Sequence, residues 1–153
     1  MNLRTSIEER YKEAVKSKNF EKANTLRLIK SAIKDKDIEN RTSESREEIN
    51  NHQVLALLQN LIKQRKDSIE SFKIASRDDL IVKEELEIDL IRHFLPKQLN
   101  ERETEEIIKE MIKKQSFSSL KDMGALMNNL KSEYAGSVDM ATAGKIAKLI
   151  LNN

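Results

Sequence analysis

Apolar residues return every three or four positions along most of this chain, with polar residues between them, which is the pattern of amphipathic α-helices rather than strands. The clearest stripes are Ala23, Leu26, Ile29 and Ile33, and then Val54, Leu57, Leu58, Leu61, Ile62, Ile69 and Phe72. Helix starts are legible where Ser, Thr or Asn precedes an acid by three residues, the spacing of a capping box. On that criterion a first helix opens at Ser6 with Glu9 and runs to about Lys18; Asn19, a good cap by itself, starts a second. A polar loop spans 40–45. Ser45 with Glu48 then starts a long third helix, and Ser76 with Asp79 a fourth. The fourth is expected to end at Leu95, because Pro96 disfavours helix in the residue before it. Asn100 with Glu103 caps a fifth helix and Ser119 with Asp122 opens a sixth. Gly136 is placed to terminate the sixth, and Asp139 caps the last.

These elements predict an all-α protein in two parts. Residues 1–95 form an N-terminal helical domain of about four helices, and residues 99–153 form a small tail domain of three. The boundary falls at Pro96, the only proline. The chain shows no internal repeat and no low-complexity segment.

Composition narrows the possibilities further. With 3 Gly in 153 residues, the chain lacks the turn punctuation of a β-sandwich and the glycines of a phosphate-cradling loop. The absence of Cys removes thiol catalysis, disulfides and Cys-ligated zinc. Charged residues make up 35% and hydrophobic residues 38%, a balance that suits thin amphipathic helices with broad wet faces. The N-terminus carries no apolar run fit for a signal peptide, and no stretch approaches the roughly 18 apolar residues of a membrane span. A soluble, cytoplasmic protein is expected.

Charge is nearly balanced, at 28 Lys+Arg against 26 Asp+Glu. From Lys109 onward the balance tilts: Lys109, Lys113, Lys114, Lys121, Lys131, Lys145 and Lys148 face Glu110, Asp122, Glu133 and Asp139. The tilt is mild as a signal for a polyanionic partner.

No catalytic constellation emerges. The only histidines, His52 and His93, lack the carboxylate pattern of a metal site, and no Gly-x-Ser-x-Gly elbow is present. No metal or cofactor is expected. Arg65 falls on the apolar stripe of the third helix, where an unpaired charge would cost several kcal/mol. Glu87 or Glu84, on the buried side of the fourth helix, is the expected partner in a structural ion pair. Arg27, Lys30 and Lys34 form a basic face on the second helix, and Lys63 and Lys66 resemble it on the third. Such rows can contact phosphates, although charge rows on amphipathic helices are more often plain solvated faces. Gly124, beside the stripe Leu120, Met123, Met127, Leu130 and Tyr134, predicts close approach by another backbone or by a ligand, with packing of another tail helix the favoured case, since a mid-helix Gly costs about 1 kcal/mol relative to Ala.

Several segments together resemble the GatB/YqeY family, which comprises small stand-alone proteins and the tail of the B subunit of tRNA-dependent amidotransferase. They are Leu61-Ile62-Lys63-Gln64-Arg65-Lys66-Asp67-Ser68, and Arg77-Asp78-Asp79-Leu80 with Lys83-Glu84 and Glu87-Ile88. Phe94-Leu95-Pro96 with Gln98-Leu99 follows, then Asp122-Met123-Gly124 with Met127, and Gly136 and Asp139 close the set as a tail glycine motif. The likeness runs from Arg27-Leu28-Ile29-Lys30 almost to the C-terminus and is that of a stand-alone YqeY-like member.

The resemblance implies a helical domain joined to a three-helix tail. In the amidotransferase the tail engages tRNA, while a separate cradle domain performs the amide transfer. This chain is too short for such a cradle, so the family label of carbon–nitrogen ligase activity with glutamine as amido-N-donor carries over no catalytic residue. Basic residues often flank the tail glycine in the family; here the segment reads Lys131-Ser132-Glu133-Tyr134-Ala135-Gly136-Ser137. The leading expectation is a tRNA-associated accessory protein, non-catalytic alone. Lys121, Lys131, Lys145 and Lys148 of its tail would contact phosphates without reading bases. The alternative is a protein–protein adaptor built from amphipathic helices, with an amidotransferase subunit or another protein as partner.

Overall fold

Asparagine sets most of the early helix starts in this protein, because its side-chain oxygen can accept from the otherwise unpaired N–H groups of a first turn. The structure is a computed structural model that describes residues 2–152. Asn2 caps α1 (Leu3–Lys16), Asn19 caps α2 (Phe20–Glu39), Asn50 caps α3 (Asn51–Ile74) and Asn100 caps α5 (Glu101–Gln115). Between the last two, α4 spans Asp78–Arg92 without a side-chain cap; Asp78 and Asp79 in its first turn complement the helix dipole instead. A 3₁₀ turn, Leu120–Asp122, leads into α6 (Met123–Glu133), and Asp139 caps α7 (Met140–Leu151). No strand occurs among the described residues.

The chain divides into two compact units, Met1–Leu95 and Pro96–Asn153. In the first, α1 packs mainly on α2 and α3 on α4. Ile7, Leu26, Ile29, Val54, Leu58 and Ile91 are the most deeply buried side chains of its core. All four residues of the Ala23, Leu26, Ile29, Ile33 stripe are buried, as are Val54, Leu57, Leu58, Ile62 and Ile69 on α3. The second unit closes α5, α6 and α7 around Ile108, Leu126, Leu130, Val138, Ala143 and Ala147. The two buried hydroxyls, Thr25 and Thr104, each donate to the carbonyl four residues back, Glu21 and Asn100.

Three helix starts differ from the capping-box reading. The first helix begins at Leu3, not Ser6, because Asn2 accepts from the Arg4 N–H at 2.9 Å and so caps one turn earlier. The third begins at Asn51, not Ser45. Thr42 folds 42–45 into a turn, its hydroxyl accepting from the Glu44 and Ser45 N–H groups. Ile49 is then buried with its N–H on Asp37 and its carbonyl on Arg4, which holds the chain out of helix until Asn50 and Gln53 form a reciprocal capping box. The fourth begins at Asp78, not Ser76. Ser76 adopts φ 55° and ends α3: its N–H donates to Lys73 and that of Arg77 to Phe72, the paired bonds of a Schellman closure.

Two helix ends also differ. The first helix stops at Lys16, with Lys18 at φ 59° and the Lys18 and Asn19 N–H groups on the Val15 and Ala14 carbonyls. The fourth stops at Arg92 rather than Leu95, after which Phe94 and Leu95 continue in a tighter turn on the Ile91 and Arg92 carbonyls. The close approach expected at Gly124 does not occur. Gly124 lies in the exposed first turn of α6, and a Cβ built there would meet no atom within 4 Å.

Candidate nucleic-acid interface

In the second unit the tail glycine motif shapes the backbone. Gly136 takes φ 78°, a conformation that favours glycine, in the turn after α6. Its carbonyl accepts from the Gln98 side chain, and the next carbonyl, of Ser137, accepts from the Leu99 N–H at 2.8 Å. The segment after Pro96 is thereby tied to the α6–α7 turn. Asp139 accepts from the Ala141 N–H at 3.1 Å and the Thr142 hydroxyl at 2.9 Å, so the start of α7 is already occupied by a carboxylate.

Two acids of this unit are thus turned inward onto helix starts. Asp122 does at the 3₁₀ turn what Asp139 does at α7, accepting from the Ser118 N–H at 2.7 Å and more weakly from that of Ser119. Lys109 is matched by Glu105 at 3.0 Å and Lys97 by Glu103 at 3.7 Å. Lys121, Lys131, Lys145 and Lys148 are all exposed and make no ion pair among the described residues, and Lys113 and Lys114 at the end of α5 are in the same position. Lys145 and Lys148 stand one turn apart on the outer face of α7. Of the acids beyond Lys109, Glu110 and Glu133 are exposed and make no ion pair among the described residues, so the free side chains are more cationic than the sequence balance indicates.

The first unit uses its charges differently. The Arg65 Nε donates to Glu87 Oε2 at 2.9 Å and Nη1 donates to the Leu61 carbonyl at 3.0 Å. The two side chains are only 12% and 14% exposed. Glu84 lies outside this bond; burial, and then the neighbouring Glu87 carboxylate, push its carboxyl above the usual range. On the basic face of α2, Arg27 donates to Asn24 at 3.0 Å and to the Tyr11 hydroxyl at 3.2 Å. Lys30 sits 4.2 Å from the Tyr11 ring centroid and 2.7 Å from Glu8, whose carboxyl it holds below the usual range. Two of the three cations on that face are therefore held within the α1–α2 pair. Lys34, Lys63 and Lys66 are exposed and unpaired among the described residues.

A further network joins Arg4, Asp37 and Ile49. The Arg4 guanidinium meets both oxygens of Asp37 as a fork, Nη1 at 2.9 Å, and also donates to the Ile49 carbonyl at 3.1 Å. Asp37 accepts in addition from the Ile49 N–H at 2.9 Å, and its carboxyl is held below the usual aspartate range, chiefly by Arg4. Arg4 and Asp37 are 33 residues apart, so no local spacing announces the pair. His52 and His93 are both exposed, and no group of three His, Asp or Glu side chains is placed to hold a metal among the described residues. No helix of the described residues is long and apolar enough to cross a membrane.

Fold and surface together define an all-helical protein of two units whose C-terminal unit displays exposed, unpaired lysines. The chain belongs to the family described as Yqey-like protein, whose model matches residues 4–151. It is 28% identical over 146 residues to the protein of Vanderwaltozyma polyspora named altered inheritance of mitochondria protein 41, mitochondrial, which covers 90% of this chain and 76% of the relative. An uncharacterized protein of Schizosaccharomyces pombe is 36% identical over 95 residues, 62% of this chain and 73% of that protein. The Saccharomyces cerevisiae protein with the same name as the first is 36% identical over 84 residues, 55% of this chain and 43% of its own length.

Proposed function

We propose that this YqeY-like protein is a non-catalytic accessory protein associated with tRNA, with the cytoplasm as its compartment and amidotransferase chemistry supplied by other proteins. The observation that carries this reading is the set of exposed, unpaired lysines Lys121, Lys131, Lys145 and Lys148, in a unit where Asp122 and Asp139 are spent on helix starts. Point charges on flexible stems suit phosphate oxygens. They position a nucleic acid without reading its sequence.

The test is a titration of purified chain with tRNA at two salt concentrations, repeated with the four lysines changed to Gln. Micromolar binding at low salt is expected. In the variant the affinity falls and the slope of log K against log salt becomes shallower by roughly 3. No binding at low salt, or an unaltered slope in the variant, refutes the reading.

A second reading, a protein–protein adaptor, is favoured by the exposure of Leu120 and Leu149 in the same unit. Stoichiometric co-purification with a protein partner after nuclease treatment, lost on Leu149→Ser, would support it over the first. Glutamine-dependent turnover by the lone chain would overturn both.

A further inference from the structure

The turn between α1 and α2 presents an aromatic ring to solvent. Phe20 is the first residue of α2 and is 69% exposed. Val15, 47% exposed, precedes it on α1. Lys16, Lys18 and Lys22 surround the ring in sequence; all three are exposed, and none makes an ion pair among the described residues. The turn that carries them is closed by hydrogen bonds. Lys18 and Asn19 donate their N–H groups to the end of α1, and the Asn19 side chain accepts from the Lys22 N–H at 3.2 Å.

The apex residue is unusual. Lys18 holds φ 59°, a conformation that costs a non-glycine residue about 1 kcal/mol or more, and at which glycine is the usual choice after a helix. Lysine at this position accepts that strain and sets a cation at the tip.

We propose that this turn binds single-stranded nucleic acid, with Phe20 as a stacking platform for one unpaired base and Lys16, Lys18 and Lys22 contacting the phosphates on either side. Glu13 and Glu21 lie in the same segment, so the turn is only mildly positive. Charge alone would hold a polyanion weakly here, and the exposed ring supplies the second half of the interaction. A bilayer surface fits less well, since one ring and one Val15 offer little apolar area to bury. A protein partner would need a contiguous apolar patch at its interface core, whereas this ring is flanked in sequence by exposed lysines. The site lies in the other unit from Lys121, Lys131, Lys145 and Lys148 and does not depend on them.

The experiment is fluorescence anisotropy of a short fluorescein-labelled oligoadenylate with the wild-type chain, Phe20→Leu, Lys18→Gly and the four-lysine tail variant. Phe20→Leu keeps the apolar volume and loses the stack, so affinity falls at least about fivefold with Tm unchanged. Lys18→Gly relieves the backbone and removes a cation, so Tm rises while affinity falls, a combination that a purely structural residue does not produce. The tail variant retains oligoadenylate binding. Unchanged affinity in Phe20→Leu or Lys18→Gly overturns the proposal. Loss confined to the tail variant assigns the oligonucleotide to the tail and overturns this site, leaving the tRNA reading intact. No binding by the wild-type chain at low salt also overturns it, as does Phe20-dependent sedimentation with phosphatidylglycerol vesicles in place of nucleic acid binding.

Discussion

The Arg65 Nε lies 2.9 Å from Glu87 Oε2, joining α3 to α4 through an ion pair whose second donor, Nη1, is taken by the Leu61 carbonyl of its own helix. Both charges are largely removed from water, so each depends on the other for solvation.

Glu87→Gln therefore destabilises the first unit by about 2 kcal/mol, because it leaves the largely buried Arg65 charge under-compensated. Replacing the pair together, Arg65→Met with Glu87→Leu, recovers most of that loss, since an apolar pair carries no desolvation cost. Urea denaturation of Arg65→Met, Glu87→Leu and the two combined checks the coupling through a double-mutant cycle. Additive losses would show that the two side chains are not coupled.

Asp37 predicts acid sensitivity. Its folded carboxyl titrates below the ordinary aspartate value of about 3.9, held down first by the Arg4 fork. The stability it contributes is fully present above that ordinary value and is lost as pH falls through the lowered folded one. Asp37→Asn costs about 2 kcal/mol at neutral pH and removes part of the acid limb of the stability profile. Chemical denaturation from neutral pH into the acid range reads both effects.

Glu84 acts with the opposite sign. Burial and Glu87 raise its folded pKa, so its contribution is most favourable below the ordinary glutamate value and is lost as pH rises through the raised one. Glu84→Gln is accordingly neutral in acid and slightly stabilising at pH 7. A variant that is destabilised at pH 7 would show that the Glu84 carboxylate is needed by Arg65.

Gly124→Ala raises stability by about 0.5–1 kcal/mol, because the added methyl meets open space and the alanine loses less backbone freedom on folding. Thermal unfolding followed by circular dichroism is the check. A loss of stability would mean that this turn of α6 requires glycine.

Much of this architecture was legible from local chemistry. Asn19, Asn100, Ser119 and Asp139 start helices, or in the case of Ser119 a 3₁₀ turn, because a cap needs only its own side chain and the next two or three N–H groups. The apolar stripes of α2 and, apart from the half-buried Leu61 and Phe72, of α3 are buried because a helix presents one face every three or four residues, wherever the rest of the chain lies. The same local reading failed at Ser6, Ser45 and Ser76, where a competing group was nearby: Asn2 one turn earlier, the Thr42 turn and Ile49 pinning, and the closure that ends α3.

Family membership, the all-helical class and the position of Arg65 on an apolar stripe thus follow from the order of residues alone. Which charges remain free does not. Arg27 and Lys30 look as available in sequence as Lys121 and Lys148, yet Tyr11 and Glu8 hold them, while Asp122 and Asp139 are drawn onto backbone N–H groups. Arg4 finds Asp37 across 33 residues for the same reason. Helix formation depends on neighbours a turn away, but the partner of a charge is set by which helices pack side by side, and only the tertiary structure decides that.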